Sequence, residues 1–512
     1  MRTLLVSPPY CTPGEDIGSR SVDYSGNNPP LGILTLATYL RRHGFEVDIV
    51  DMFKYTSWEK IRETLNVAKY DIFGISIWTG NHFKAKKILE IVKEKKQNVI
   101  TLAGGPHASV LYEQVARNYA VDYVIRGEGE DTMLELLEAL KENQDVSRIA
   151  GLTYVKDGQL VNTREREPFS TLDDLPFTDF TDVDLNDYTE GLWSDTIIPE
   201  KLQKEYNIQY VKFAPVITSR GCPAKCTFCF KKFGNIRMRS AENVVNEIKQ
   251  IYNQHNIKHI RFCDDTLNIN EKRLQEICKL IIKENINITW DTSIRAYPLS
   301  MDTAQLMKES GCIKLSVGVE TGSAKMMKSI KKGLTPEKVI NAFEVCHKVG
   351  IPVIANIIVG LPGETRETIQ ETYQFLRTIN PDYTLVSILL LYPKTEVYYH
   401  AKEVGFINDS YFLESEVVPV YCYEHTYEKL LDYSRKVFIL NFVQQKNYKK
   451  ILYYTLLRLR ERIGHLTHIY LNARGFDLVL KDKRYIFEIK SGFSKIYKKG
   501  FNSIGYGNKN KI

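Results

Sequence analysis

Short apolar segments alternate with amphipathic segments of helical period through the first 145 residues. Strands are predicted at residues 3–7, 46–51, 72–77, 99–103 and 123–126, with helices at 31–43, 83–95 and 132–140. This alternation predicts an α/β fold with a parallel, doubly wound sheet. Ligands of such sheets bind beyond the carboxyl ends of the strands.

Proline, glycine and polar residues gather where these predicted strands end. The candidate ligand-contacting residues are Pro8, Ser76, Gly104, Gly105, Gly127 and Glu128. Glycines at such positions let a bulky ligand approach the backbone and expose its NH groups. Ordinary turn chemistry is the alternative at each glycine.

A second alternation begins after residue 208. Its strands are predicted to start near residues 211, 258, 288, 313, 352 and 383, with helices at 241–256, 271–283, 335–349 and 366–378. Six strand–helix units cannot close an eight-stranded barrel, so we expect an open, partial (βα)6 barrel. The carboxyl ends of its strands would form the functional face.

The remaining segments suggest four regions: residues 1–145, 146–207, 208–400 and 401–512. A small hairpin is predicted within residues 148–164, followed by a linker with weak periodicity. The last region is predicted to be mostly helical, at 427–445 and 447–462, before a hairpin near 477–488. The basic tail at 498–512, rich in Gly, Asn and Lys, is expected to be disordered.

The composition is that of a soluble globular enzyme with several domains. Hydrophobic residues make up 43% and charged residues 26% of the 512. A net charge of +7 is mild for this length and does not favour nucleic acid binding. Nine cysteines without a signal-peptide pattern indicate a reducing cytoplasm. The longest apolar stretches are far short of the roughly 20 residues that cross a bilayer.

Three cysteines, Cys222, Cys226 and Cys229, form a C-x3-C-x2-C motif directly after the first strand of the second alternation. Three thiolates this close can ligate three irons of a cubane cluster and leave the fourth iron open. Clustered core cysteines are one alternative, but the loop is too rich in Gly, Pro and Lys for a core. A zinc site is another, but no fourth Cys or His follows closely.

Five further motifs occur in order along the first 400 residues: PPLG at 29–32, AGGPH at 103–107, RGEGE at 126–130, GVETGS at 318–323 and GLPGET at 360–365. Together with the cysteine motif they resemble the cobalamin-binding-domain radical S-adenosylmethionine (SAM) proteins. The resemblance implies a flavodoxin-like cobalamin-binding domain, then a partial radical SAM barrel and a mostly helical carboxyl-terminal domain.

The resemblance also implies roles for single residues of the barrel. The three cysteines would hold a 4Fe–4S cluster whose open iron chelates SAM, and reduction would yield a 5'-deoxyadenosyl radical. The residues expected to bind SAM are Phe228, Ser293, Arg295, Glu320, Gly360 and Pro362. Among them, Glu320 would accept a hydrogen bond from the methionyl ammonium or a ribose hydroxyl. The alternative is that Glu320 is an acid at a strand end that only contacts solvent. Lys394 departs from the family's usual Pro-Gly-Thr, which puts backbone contacts there in doubt.

In the amino-terminal domain the resemblance implies cobalamin. Ser76, Gly104 and Gly105 match the later parts of the common cobalamin signature. The comparable place for its axial histidine begins at Asp51 and contains none, so a histidine-ligated cobalt is not supported, whereas cobalamin without a lower ligand is consistent. We expect His107 to be a solvated turn residue rather than a cobalt ligand.

Two adjacent carboxylates, Asp264 and Asp265, also end a predicted strand. Paired carboxylates can raise one another's pKa, but a pair here would serve equally well to cap the helix that begins near Asn270. The sequence assigns neither as a general base.

These expectations lead to three functional hypotheses. The first is a cobalamin-dependent radical SAM methyltransferase that acts on an unactivated carbon of a small-molecule or natural-product intermediate. The expected partners are a small-molecule or peptide substrate and an external electron donor of flavodoxin or ferredoxin type. The second is a cyclase or oxidoreductase with the same cofactors, and the third is a non-catalytic cobalamin carrier or sensor. A methylthiotransferase is disfavoured because only Cys11 precedes Cys222.

Overall fold

The computed structural model describes residues 1–9, 28–55, 57–188, 212–230 and 235–444. The predicted helix at 447–462, the hairpin near 477–488, the basic tail and much of the predicted linker lie outside these residues. None of the helices within the described ranges combines the length and apolar character needed to cross a bilayer.

The amino-terminal domain is built on a seven-stranded sheet of order β2-β1-β3-β4-β5-β6-β7. Its strands are β1 (Arg2–Ser7), β2 (Glu46–Asp51), β3 (Ile72–Ser76), β4 (Ile100–Gly104), β5 (Tyr123–Ile125), β6 (Leu152–Lys156) and β7 (Gln159–Asn162). The first five pair in parallel, which confirms the predicted doubly wound sheet. The predicted hairpin forms β6 and β7 and extends the sheet antiparallel to β5.

Helices cover both faces of this sheet. They are α1 (Leu31–Arg42), α2 (Trp58–Thr64), α3 (His82–Lys95), α4 (Pro106–Val110), α5 (Tyr112–Asn118) and α6 (Glu130–Lys141). Alternate β1 side chains enter different cores, since Leu4 and Val6 belong to one apolar cluster and Leu5 to another. A strand buried on both sides has no polar face, so it appears in the sequence as a continuous apolar run.

The second domain is a six-stranded parallel sheet of order β15-β14-β13-β12-β11-β8. Its strands are β8 (Phe213–Val216), β11 (His259–Phe262), β12 (Thr289–Ile294), β13 (Cys312–Glu320), β14 (Val353–Val359) and β15 (Tyr383–Ile388). A two-stranded ribbon of β9 (Ser219–Arg220) and β10 (Arg237–Met238) flanks the cysteine loop. The predicted six-unit parallel sheet is therefore confirmed.

The helices that follow these strands are α7 (Ala241–His255), α8 (Glu271–Lys283), α9 (Met301–Glu309), α10 (Ala324–Ser329), α11 (Pro336–Val349), α12 (Arg366–Ile379) and α13 (Glu396–Glu403). Most of these helices have an N-cap residue whose side chain accepts a hydrogen bond from a backbone NH of the first turn. These N-cap residues are Ser240, Asn270, Ser300, Thr335, Thr365 and Thr395. Such caps satisfy NH groups that have no partner within the helix.

The two faces of the barrel sheet differ in polarity. Trp290, Leu315 and Val353 face an apolar core against the helices. The opposite face is polar, and there buried Asp291 lies between Arg261 (3.1 Å) and Lys314 (3.4 Å) across β11, β12 and β13. The charges on both sides lower the pKa of Asp291 well below its usual value, although burial alone would raise it. This network fixes three neighbouring strands.

Short helices after the barrel pack against it: α14 (Tyr411–Glu414), α15 (Tyr427–Phe438) and α16 (Leu440–Gln444). The Asn441 side chain pairs with both the NH (2.7 Å) and the carbonyl (2.9 Å) of Thr384 in β15. The single helix predicted at 427–445 is interrupted at Ile439.

Candidate functional site

The cysteine loop is held in place by backbone hydrogen bonds. The Thr227 NH donates to the Ile330 carbonyl (3.1 Å) after α10, and the Thr227 carbonyl accepts from the Val397 NH (3.1 Å) in α13. Phe228 is partly buried against an apolar cluster that contains Met326, Leu361 and Leu391. Backbone hydrogen bonds and the Phe228 side chain therefore anchor the loop without using the thiols.

The three thiols lie close enough to influence one another. Burial raises the pKa of Cys229 to about 11, and the neighbouring Cys226 and Cys222 contribute to that rise. The Cys222 thiol also lies 3.4 Å from the Thr266 hydroxyl. Within the described ranges no three His, Cys, Asp or Glu side chains converge on one ion-sized point. All three cysteines are free thiols, and three thiolates at this spacing suit an iron–sulfur cluster.

Asp264 braces the strand that leads into the loop. Its buried carboxylate accepts from the Thr218 NH (2.9 Å) and from the Ser219 hydroxyl (2.7 Å). The alternative that Asp264 and Asp265 cap the following helix is wrong. Asn270 itself caps α8, and its side chain accepts a hydrogen bond from the Arg273 NH. Asp265, next along the chain, is exposed.

Glu320, at the end of β13, forms a buried ion pair with Lys332 at 2.7 Å. Its backbone has a φ of +66°, a conformation that residues other than glycine adopt at a cost of about 1–3 kcal/mol. A Cβ at Gly318 would lie 2.7 Å from the Glu320 carboxylate and 2.9 Å from the Lys332 ammonium. The absent side chain of Gly318 thus makes room for the pair. A solvated strand-end acid is excluded for Glu320.

Ser293 and Arg295 end β12 on the same side of the barrel. Ser293 is exposed, so its hydroxyl is available to a ligand. Arg295 is oriented by the structure, because its Nη2 donates to the Lys332 carbonyl at 2.5 Å and its NH donates to Asn268. Lys332 therefore contacts both predicted SAM-binding residues, one through its side chain and one through its backbone.

The turn after β14 contains Gly360 and Pro362. Gly360 has a φ of +91°, and its NH donates to the buried Glu364 carboxylate at 2.6 Å. Burial raises the pKa of Glu364 to about 7, and the nearby negative charge of Glu424 contributes. The Gly363 NH donates to that same Glu424, at 2.8 Å. The carboxyl-terminal segment therefore holds this turn from outside the barrel.

The predicted cobalamin-contacting residues lie together at the carboxyl edge of the amino-terminal sheet. Pro8 is buried after β1. Gly105 has a φ of +93°, and a Cβ there would lie 2.7 Å from the Ile77 carbonyl and 3.0 Å from the Ser76 hydroxyl. Gly104, at the end of β4, accepts from the Ile77 NH at 2.8 Å. Glycine is required at 105 because the chain turns tightly against the neighbouring strand.

Glu128 lies in an ion-pair network between the domains. Its carboxylate accepts from Arg220 (2.9 Å) and Arg237 (2.8 Å) of the barrel and from the Phe169 NH (2.9 Å). Burial alone would raise the pKa of Glu128, but the two guanidinium groups lower it. Both carboxylate oxygens are occupied by the protein itself. Because Arg220 directly precedes the cysteine loop, the pair couples that loop to the amino-terminal sheet.

His107 is not the solvated turn residue that the sequence predicts. It is 2% exposed and stacks on His82, with ring centroids 4.9 Å apart. Phe412 of the carboxyl-terminal region meets both rings edge-on. Burial lowers the pKa of His107 to about 3, so the ring is neutral near pH 7. The expectation failed because His107 lies in α4 and is covered by Phe412, 305 residues further along the chain.

A cavity of ≈ 350 Å³ lies between the two domains. On the amino-terminal side its lining residues are Ser109, Val110, Tyr112, Arg126, Gly127 and Glu165. On the barrel side they are Cys226, Cys229, Phe230, Lys394, Thr395 and Glu396. The carboxyl ends of the two sheets, predicted separately, therefore meet at one place, with two of the three thiols on its wall.

The residues present fit the cofactors that the sequence suggests. Three free thiols suit a cluster, and Ser293, Arg295 and Glu320 lie at the carboxyl ends of β12 and β13 in the same sheet. On the other side, a glycine-lined strand edge suits a flat, bulky ligand. The sequence analysis did not identify Lys332, Arg220 or Arg237. No motif surrounds these residues, and the neighbouring sequence does not indicate which carboxylate each one pairs with.

Two family models match the chain. The B12 binding domain matches residues 22–137, and the Radical SAM superfamily matches residues 216–376. They correspond to the two domains whose strand ends face the cavity.

Individual proteins are similar over most of the chain. An uncharacterized methyltransferase of Pyrococcus horikoshii is 31% identical over 453 residues, covering 87% of this chain and 93% of that protein. An anaerobic magnesium-protoporphyrin IX monomethyl ester cyclase of Rubrivivax gelatinosus is 30% identical over 393 residues, covering 75% and 66%. The solved structure of the radical SAM methyltransferase TsrM of Kitasatospora setae superposes with a TM-score of 0.63 at 18% identity, covering 85% and 83%. At that identity the likeness shows a shared fold.

Proposed function

This chain belongs to the cobalamin-binding-domain radical SAM family, and we propose that within it the protein transfers a methyl group to an unactivated carbon of a small-molecule or natural-product intermediate. As a member of this family it is an enzyme that uses a 4Fe–4S cluster, SAM and cobalamin. The observation that carries the proposal is the interdomain cavity, which brings Cys226 and Cys229 next to Gly127 at the strand edge of the B12 binding domain.

The chain's own residues would bind and orient the reactants. When bound, the cluster and SAM supply a 5'-deoxyadenosyl radical, and cobalamin supplies a methyl carrier. Glu320, fixed by Lys332, would accept from the methionyl ammonium or a ribose hydroxyl of SAM. Arg295, fixed by the Lys332 carbonyl, keeps further NH donors for the methionyl carboxylate. Ser293 would contact the ribose.

The two domains would also exclude water from the reaction. The Glu128 ion pairs with Arg220 and Arg237 hold the amino-terminal sheet against the residues that flank the cysteine loop. A substrate held between the two sheets would be shielded from part of the bulk solvent. We propose a small-molecule or peptide substrate, an external electron donor of flavodoxin or ferredoxin type, and a cytoplasmic location.

Anaerobic reconstitution tests this function. We expect about one cluster per chain, uptake of cobalamin and, on reduction with SAM and substrate, both 5'-deoxyadenosine and S-adenosylhomocysteine. Full cluster loading without cobalamin uptake would contradict the cofactor part of the proposal. Supplying cell extracts with SAM labelled in its methyl group, and following the label into products, would identify the substrate.

A cyclase or oxidoreductase is the second candidate, and the similarity to the anaerobic cyclases favours it. It would give 5'-deoxyadenosine without S-adenosylhomocysteine, since no methyl group is transferred. A non-catalytic carrier would give neither product, and Cys226→Ala would leave its function intact. The product pattern therefore separates all three hypotheses.

A further inference from the structure

Lys394 lies in a backbone conformation that its side chain does not favour. Its φ is +59°, in the turn between β15 and α13, in the left-handed region where glycine is preferred. A residue other than glycine pays of order 1–2 kcal/mol for this conformation. Strain of this kind is concentrated at functional positions, where a particular side chain is needed despite its cost.

The strained turn directs Lys394 into the interdomain cavity. Its ammonium lies 5.2 Å from the centroid of the Tyr112 ring, and the Arg126 guanidinium carbon lies 5.1 Å from the same centroid. All three residues line the cavity that contains Cys226 and Cys229. Two cations thus share one aromatic ring on a wall of the cavity beside the cluster ligands.

Nearby carboxylates do not neutralise both cations. Glu165 pairs with Arg126, whose Nη2 also donates to the carbonyls of Thr163 and Leu152. Glu396, the other acid on the cavity wall, pairs with Lys331 at 2.6 Å. In the part of the chain that the structure describes, the Lys394 ammonium has no carboxylate within 4 Å. Among the described residues of the wall, Lys394 is therefore a cation without a paired carboxylate, and an anion would be stabilised beside it.

Resting on the function proposed above, we propose that Lys394 determines substrate specificity by receiving a carboxylate or phosphate group of the substrate. A lysine ammonium is a compact point charge that binds either group. The Tyr112 ring supports its position, and Arg126, fixed by the hairpin carbonyls, adds a positive field. An anionic group held here would place the rest of the substrate beside the cysteine loop.

Protection of Lys394 from acetylation tests this assignment. Holoenzyme loaded with cluster, cobalamin and SAM is treated with an acetylating ester, and modified lysines are located by peptide mass spectrometry. We expect Lys394 to remain reactive in the holoenzyme and to be protected by inorganic phosphate or succinate beyond sodium chloride of equal ionic strength. Lys402, paired with Asp409 on the outside of α13, is the internal reference and should show no such difference.

The same experiment identifies the source of the anion. The assay is repeated on cluster-loaded protein without cobalamin or SAM. Protection by added cobalamin alone would assign the site to its phosphodiester, protection by added SAM alone would assign it to the methionyl carboxylate, and either result would overturn the substrate assignment. Absence of protection by phosphate and succinate would also overturn it. Because wild-type holoenzyme is assayed separately for 5'-deoxyadenosine, these failures are distinct from failure of the proposed function.

Direct binding adds a quantitative check. We expect Lys394→Met to weaken binding of inorganic phosphate, followed by phosphorus NMR, by about 10-fold, the value of one charge-assisted hydrogen bond. Lys402→Met is the matched control and should bind phosphate as the wild type does. Equal phosphate affinities in the wild type and Lys394→Met would contradict the proposal.

Discussion

The carboxyl ends of the strands in the two sheets differ in chemistry. The barrel carries reactive and charged side chains there, namely the three cysteines, Arg295 and the Glu320–Lys332 pair. The amino-terminal sheet carries glycines there, namely Gly104, Gly105 and Gly127. A side-chain site is sensitive to a change of functional group, whereas a backbone site is sensitive to added volume. The two halves should therefore fail for different reasons, and four predictions test this difference.

Loss of a cysteine ligand should have the largest effect. Cys226→Ala removes one of three thiolates, so we expect no stable cluster and no 5'-deoxyadenosine after reduction. Iron content and the visible absorption of the reconstituted protein measure this. Cys278→Ala is the control, because Cys278 is a buried core residue of α8. A variant at Cys226 that retained a full cluster would refute the assignment of the ligands.

Loss of the buried cation next to Glu320 should be the next largest effect. Lys332→Met leaves the Glu320 carboxylate buried without its partner, and breaking such a pair costs about 3–5 kcal/mol. The free energy of unfolding, followed by tryptophan fluorescence, measures the loss. SAM affinity should fall with it, because the Lys332 side chain orients the Glu320 carboxylate.

The neighbouring residue is a matched control for that variant. Lys331 pairs with Glu396, but both side chains are more than half exposed. Lys331→Met should therefore change stability by less than about 1 kcal/mol. Similar losses in the two variants would show that the Glu320–Lys332 pair has no special role.

Added volume should damage the amino-terminal sheet. Gly105→Ala places a methyl group 2.7 Å from the Ile77 carbonyl at a φ of +93°, so we expect destabilisation of about 2 kcal/mol and loss of cobalamin uptake with the cluster retained. Gly44→Ala is the control, since its φ is +82° but no heavy atom lies within 4 Å of the new Cβ. The comparison would fail if both variants bound cobalamin equally poorly.

The smallest expected effect is a pH dependence from the turn after β14. The unfolded chain releases the Glu364 proton near pH 4.5, whereas the folded protein retains it up to about pH 7. Stability from this group is therefore present at low pH and is lost as pH rises across that interval, by an amount on the order of 1–2 kcal/mol. Glu364→Gln keeps an acceptor for the Gly360 NH and should flatten the profile. An unchanged slope of unfolding free energy between pH 5 and 7 would contradict this.

Most of the secondary structure could be predicted from local sequence. The strand at Glu46–Asp51 and the helix at Glu271–Lys283 have the predicted bounds, and other elements differ by a few residues. Apolar periodicity reports burial within a single element, and capping residues such as Asn270 mark its ends. The interruption at Ile439 was missed because both sides of it keep a helical pattern.

The sequence by itself determined the two alternating domains, the cysteine motif and the order of the glycine-rich strand ends, since each depends on residues close together in the chain. Only the tertiary structure decided that Glu128 pairs with Arg220, that Lys332 holds Glu320, that His107 is buried under Phe412 and that Lys394 enters the cavity. These contacts join residues from 12 to 305 positions apart or loops from different domains. Local periodicity carries no information about them, because they arise only when the packed elements bring distant side chains together.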